Sequence, residues 1–199
     1  MGRGAGLRWL WYSCRTDHCV SLDRTVYPAT AYDGRPIPWP NWACKAPDGG
    51  IHADGRIGSI DLQVAHEPSG PEEYQWSCEF QVRILHRDWY SLIEDLVDGS
   101  VVAAGRLIRR GEVMPEWVTL HGVKPPILHA SEGWHKRCPI CGDDYSLLRG
   151  RKSFRDPIVI DMPLIVNGSG IFVREDEAVR RNLRTPVGAF KPSLVGLEG

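Results

Sequence analysis

The sequence predicts an α+β fold, with an antiparallel-rich sheet, one or two packed helices and a zinc-knuckle, zinc-ribbon-like element. Three observations predict it. The chain holds 21 Gly and 15 Pro among 199 residues, too dense a punctuation for long helices. Several apolar runs alternate with a period of two, whereas only one shows a strong helical period. Cysteines come as two close pairs, Cys14 with Cys19 and Cys138 with Cys141. Residues 1–199 are read as a single domain. Within it an N-terminal cysteine knuckle, about 1–33, is clipped to a second one, about 134–150.

The elements follow in order. The first cysteine pair precedes a Pro- and Gly-rich stretch, 34–58, which carries Trp39, Trp42 and Cys44 and reads as a long irregular loop. Ile60, Leu62 and Val64 alternate and predict a strand over 57–65. Phe80, Val82 and Ile84 alternate with polar residues and predict a second strand. The clearest helix is 87–97, where Trp89, Leu92, Ile93 and Leu96 recur at helical spacing and Gly99 follows as a stop. These four residues are expected to bury one face against a sheet containing Phe80, Val82 and Ile84. Strands are predicted over 101–108 and 116–121. Pro125 and Pro126 open a loop to the second cysteine pair. Short apolar runs follow at 158–160 and 171–173. A short helix is predicted over 175–183, acidic first and basic last, as the helix dipole favours. The tail from Thr185 reads as an edge strand or an extended arm.

Composition excludes several classes of function. Hydrophobic residues make up 42% and charged residues 25%, so the chain is not disordered as a whole. The formal net charge of -1 argues against nucleic acid as the partner and gives no support for a polybasic membrane contact. No run approaches the ~20 apolar residues of a membrane span. The apolar start around Leu7, Trp9, Leu10 and Trp11 is too interrupted for a signal-peptide core. A cytoplasmic location is expected. In a reducing cytosol, metal binding is the better use of close cysteine pairs than disulfides.

Cys138-Pro139-Ile140-Cys141-Gly142 is the most specific motif. Two thiolates at this spacing grip one Zn²⁺ from a single tight turn. The following Gly lets the backbone turn so that amides face the sulfurs. Lys136 and Arg137 add positive charge that favours thiolate. A structural Zn²⁺ takes four ligands, so Cys14 and Cys19 are the natural second half. His18 and Cys44 are alternative ligands. Such a metal clips distant parts of the chain together, where closing a long loop gains most against chain entropy. Cys78 opens an apparent strand and reads as a buried residue.

No other motif carries chemistry. There is no H-E-x-x-H, G-x-S-x-G, Walker loop or G-x-G-x-x-G. His129 and His135 flank the second knuckle and read as loop histidines. Asp143 and Asp144 adjoin it, where an enzyme reading places a general base. Asn167-Gly168-Ser169-Gly170 reads as a turn, because no helix-opening Lys-Ser/Thr follows it. With four cysteines closing the metal, no open catalytic position remains, and a non-enzymatic protein is expected.

The chain resembles the bacterial double-CXXCG motif proteins, a cysteine-rich group that includes immunity proteins of toxin–immunity systems. The resemblance rests on the segment 78–97, on Trp117 to Leu120, on Cys138-Pro-Ile-Cys141-Gly, on the ending 177–183, and on a first cysteine pair followed by Tyr27-Pro28. The first pair departs from the family pattern, with four residues between its cysteines and no Gly after. The resemblance implies one structural zinc joining two knuckles and a role in neutralising a cognate toxin by binding it. Trp39, Trp42 and Trp134 are candidate partner anchors, because aromatic anchors dominate interface energies. The alternative is a zinc-ribbon nucleic-acid-binding or regulatory protein. Its motivation is the basic run of Arg149, Arg151, Lys152 and Arg155 after the second knuckle.

Overall fold

The computed structural model describes residues 6–13, 29–31, 36–37, 43–45, 51–53, 57–64, 66–68, 74–76, 82–123, 125–137 and 144–198. In chain order the strands and helices are β1 (Arg8–Tyr12), β2 (Ala29–Ala31), β3 (Pro36–Ile37), β4 (Ala43–Lys45), β5 (Ile51–Ala53), β6 (Ile57–Ile60), β7 (Leu62–Gln63), β8 (Tyr74–Trp76), β9 (Arg83–His86) and α1 (Arg87–Tyr90). They continue with β10 (Val102–Arg109), β11 (Glu112–Gly122), β12 (Leu128–Arg137), β13 (Asp144–Phe154), β14 (Leu164–Asn167), β15 (Gly170–Arg174), α2 (Glu175–Arg180) and β16 (Ser193–Leu197). Two 3-10 turns, Glu94–Leu96 and Pro157–Asp161, complete the set. The described chain is mostly β-sheet with few short helices.

Two larger sheets carry the core. One has six strands in the order β12-β13-β16-β1-β15-β14, the other five in the order β7-β10-β11-β9-β8. Alternation sorts the six-stranded sheet into two buried faces. Tyr12, Leu164, Val166, Ile171 and Val173 meet Leu85, Val102, Val118 and Leu120 of the five-stranded sheet, with Trp89, Tyr90 and Ile93 beside them. On the opposite face Trp9, Phe154, Ile165, Phe172 and Val195 form a second cluster, with Val159 of the 3-10 turn Pro157–Asp161. A sheet buried on both faces explains why 164–166 and 171–173 read as continuous apolar runs.

Several elements differ from expectation. The helix predicted over 87–97 stops at Tyr90. Ser91 Oγ donates to the Asp88 carbonyl at 2.9 Å, and the Leu92 and Ile93 N–H groups reach only three residues back. Ile93 itself lies at φ -126°, ψ 0°, outside the helical region. The predicted apolar face still packs: Trp89 and Ile93 are fully buried, while Leu92 and Leu96 are half-buried against the same cluster. The face it meets carries Leu85; Val82 and Ile84 are buried but belong to the alternate positions of that strand. Phe80 lies outside the described residues. Ile93→Ala should therefore destabilise by about 3 kcal/mol and Leu92→Ala by about 1 kcal/mol, read by reversible urea unfolding. Equal costs would show that the broken helix still presents both residues alike.

Residues 128–137 form a long strand, although a loop was expected there, and 57–65 divides into β6 and β7 at Asp61. Asp61 leaves the strand pattern because its carboxylate accepts from the Arg106 amide at 2.8 Å and from the Arg106 guanidinium. Part of the stretch 34–58 is paired in short strands rather than irregular. Ile158 to Ile160 lie in a 3-10 turn capped by Asp156, whose Oδ1 accepts the Ile158 N–H at 3.0 Å. The tail forms β16, which takes a central place in the sheet and not an edge.

Candidate metal centre

Cys14, Cys19, Cys138 and Cys141 lie outside the described residues, as do His18, Cys78, Trp39, Trp42 and Asp143. What is described is how the strands leading to them are laid out. β1 is antiparallel to β16, β16 is parallel to β13, and β13 is antiparallel to β12. Hence β1 and β12 run in the same direction. The two strands therefore finish at the same end of one sheet, and in the sequence each is followed by a cysteine pair.

The register measures the offset between them. Arg8 pairs with Gly196, Gly196 with Ser153, and Ser153 with His129. From that common level β1 runs on for four residues to Tyr12 and β12 for eight to Arg137. The β12–β13 hairpin thus projects about 13 Å further, displaced sideways by two to three strand spacings of about 4.8 Å each. The six steps from Ser13 to Cys19 extend to about 20 Å, enough for Cys19 to cover that distance, whereas Cys14 is a single step of under about 4 Å beyond Ser13. Arg137 pairs with Asp144, so the ends of β12 and β13 that flank 138–143 are held side by side. Four thiolates are the donor set that structural zinc takes. Strand direction and donor chemistry are compatible with a zinc clip, and chain reach is compatible for Cys19.

The other candidates scatter. Cys44 stands on β4 opposite His52. His129 pairs with Ser153, His135 with Ser146 and Trp134 with Leu147 along the β12–β13 ladder. Among the described residues, no group of three or more His, Cys, Asp or Glu is gathered to hold a metal. The basic run does not form one stripe. Lys152 lies over the Trp11 ring at 4.7 Å, and Arg155 pairs with Glu198 at 3.5 Å, leaving Arg149 and Arg151 exposed. A register shift between Ala130 and Glu132, with Gly150 at φ 72°, breaks the alternation between them.

Asn167-Gly168-Ser169-Gly170 is the turn joining β14 to β15, and its carbonyls are used internally. Arg83, only 2% exposed, donates from Nε and Nη2 to the Asn167 carbonyl at 3.3 and 3.0 Å and from Nη2 to that of Gly168. Trp11 Nε1 donates to the Ser169 carbonyl at 3.0 Å from the sheet itself. Sequence reasoning missed Arg83. The one available signal was a cation in the run Phe80-Gln-Val-Arg-Ile-Leu85 at the parity of a core-facing residue.

The tryptophans with described side chains act as structural bridges. Trp9 Nε1 donates to the Met162 carbonyl at 3.1 Å, Trp89 Nε1 to that of Arg184 at 2.9 Å, and Trp117 meets His86 edge-on. Several charged groups outside the core pair with one another. Arg181 donates to both Asp95 oxygens at 2.6 and 2.7 Å and to the Leu92 carbonyl at 3.1 Å, tying α2 to the broken end of α1. Those hydrogen bonds hold the Asp95 carboxyl below its ordinary range. Arg180, then Arg181, does the same for Glu177.

Among the described residues, burial gives His121 a consequence in the acid range. Its Nε2 is enclosed and has no hydrogen-bond partner, and burial lowers its pKa from 6.5 to about 4. The folded state then binds fewer protons than the unfolded state between those values. Stability is full above pH ~6.5 and falls as pH drops toward 4, by of order 2 kcal/mol, because the residue keeps partial exposure. Urea midpoints across this range should fall in the parent and stay flatter in His121→Phe; parallel slopes would assign the loss to other groups.

No family model matches the chain, and no curated protein matches it at a significant level. Among the described residues no helix is long and apolar enough to cross a membrane.

Proposed function

We propose that this chain is a cytoplasmic, non-enzymatic binding protein stabilised by one structural zinc, an immunity protein that neutralises a cognate toxin by occupying it. The observation that supports the zinc clip is the shared direction of β1 and β12, the strands that precede the two cysteine pairs in the sequence. Cys14, Cys19, Cys138 and Cys141 hold the metal in this reading. Four thiolates close its coordination, so its contribution is to fold stability. Toxin binding rests on the family resemblance, and Trp39, Trp42 and Trp134 are its candidate anchors.

Metal analysis of the protein purified in reducing buffer should find one zinc per chain. Cys138→Ser should release it and lower the melting temperature. A metal-free protein, or a Cys138–Cys141 disulfide as the stable form, would overturn the clip. Coexpression should rescue growth from one dedicated toxin, through a stable complex of the two proteins. Zinc-dependent turnover of a substrate would contradict occlusion. A nucleic acid as tightest ligand, with binding that collapses in salt, would favour a nucleic-acid role for the exposed Arg149 and Arg151.

A further inference from the structure

β16 follows α2 through the segment 185–192 and fills a central place between β13 and β1. Val195 is fully buried in the cluster with Trp9, Phe154 and Phe172. With β16 withdrawn, β13 and β1 would stand about 10 Å apart, two strand spacings, too far to pair with one another. The slot is therefore closed by a strand with this sequence or the sheet divides.

The chain enters the slot through the segment 185–192. Trp89 fastens its start through the Arg184 carbonyl, and the Phe190 N–H donates to the Ser13 carbonyl at 2.8 Å. Between these points the chain reverses in one tight turn. The Ala189 N–H donates to the Pro186 carbonyl at 3.1 Å, and Gly188 takes φ 85° at the third turn position, where a type II turn requires a positive φ. Beyond and within that turn three large apolar side chains stay in water: Val187 at 43%, Phe190 at 52% and Leu194 at 49% exposure. Scattered single residues of this kind need no explanation, but three within eight positions of one arm do.

We propose that the Pro186–Ala189 turn is a hinge through which two copies of this chain exchange their C-terminal arms, each β16 filling the slot of the other. The occupant is a second copy because the slot's contacts are specific to this strand: Val195 faces Trp9, Leu194 faces Leu10, and Leu197 faces Phe154. Exchange keeps all of those contacts and changes only the hinge. Opening the turn gives up one hydrogen bond, and the exposed Val187 and Phe190 gain a surface to bury against at the crossing of the two arms.

The test mixes two single variants, Leu10→Cys and Leu194→Cys, whose positions are directly opposite in the β1–β16 ladder. After unfolding and refolding together, oxidation should give a covalent dimer in the mixture and not in either variant alone, where the native cysteines serve as the control. Gly188→Val disfavours the positive φ of the turn and should raise the dimer fraction at least about tenfold by light scattering. Absence of the mixed cross-link in both backgrounds would overturn the exchange. So would a dimer that forms without it, since that dimer uses another surface. If Gly188→Val fails to fold, the cross-link in the otherwise native pair decides.

Discussion

Gly122→Ala is expected to destabilise the fold by at least about 3 kcal/mol, or to prevent folding. Gly122 ends β11, and a Cβ built there would stand 1.9 Å from the Val166 carbonyl oxygen and 3.0 Å from the Val166 carbonyl carbon and the Pro125 Cβ. Two of those atoms are backbone, so no rotamer change relieves the clash. The position is where the edge strand β14 of one sheet meets β11 of the other, and only a residue without a side chain lets them approach so closely. Gly196→Ala is the matched control: it sits in a strand, its added Cβ meets nothing within 4 Å, and its stability should change by under about 0.5 kcal/mol. Urea unfolding of the two variants checks this. Similar losses for both would show that the sheets shift apart at little cost.

Arg83→Met should cost about 3 kcal/mol although it keeps most of the side-chain volume. Arg83 stands on β9 and its guanidinium serves the Asn167 and Gly168 carbonyls of the β14–β15 turn, so it joins the two sheets by hydrogen bonds. Methionine removes the donors that those part-buried carbonyls use, which costs more than the loss of a typical exposed hydrogen bond. Arg83→Lys should recover only part of the loss, because an ammonium lacks the planar fork that reaches adjacent carbonyls. Equal stabilities of the Met variant and the parent would show that water replaces the guanidinium.

If the proposed zinc clip forms, it and the two sheets should respond differently to perturbation. Gly122 and Arg83 act between the sheets, at the buried seam, and their effects should persist whether or not zinc is bound. Cys138→Ser alters the residue that follows Arg137, and β12 at Arg137 has run beyond the level reached by β1. Combining Cys138→Ser with Gly122→Ala should therefore give nearly additive losses, as distant sites do.

Residue pattern by itself determined the predominance of strands, because period-two alternation survives in any context that buries one face of a strand. It also placed α2, whose Glu175, Asp176 and Glu177 precede Arg180 in the order the helix dipole favours, and it identified the turn at Asn167–Gly170 from its residue types. The candidate zinc ligands were legible for the same local reason, since two thiolates a few residues apart need no tertiary context to suggest a metal. Tertiary structure decided what local pattern leaves open. The helix after Arg87 breaks because Ser91 takes the Asp88 carbonyl, and Arg181, 89 residues from Leu92, caps the freed Leu92 carbonyl. Strand β12 has little apolar alternation, and its ladder with β13 supplies the pairing that its sequence does not announce. The C-terminal strand reads as an arm until its neighbours are known, because five residues of modest hydrophobicity become a central strand only when β1 and β13 leave a slot of that width. Arg83 is buried for a reason no window of sequence contains: the carbonyls that repay its desolvation lie 84 and 85 residues further along the chain.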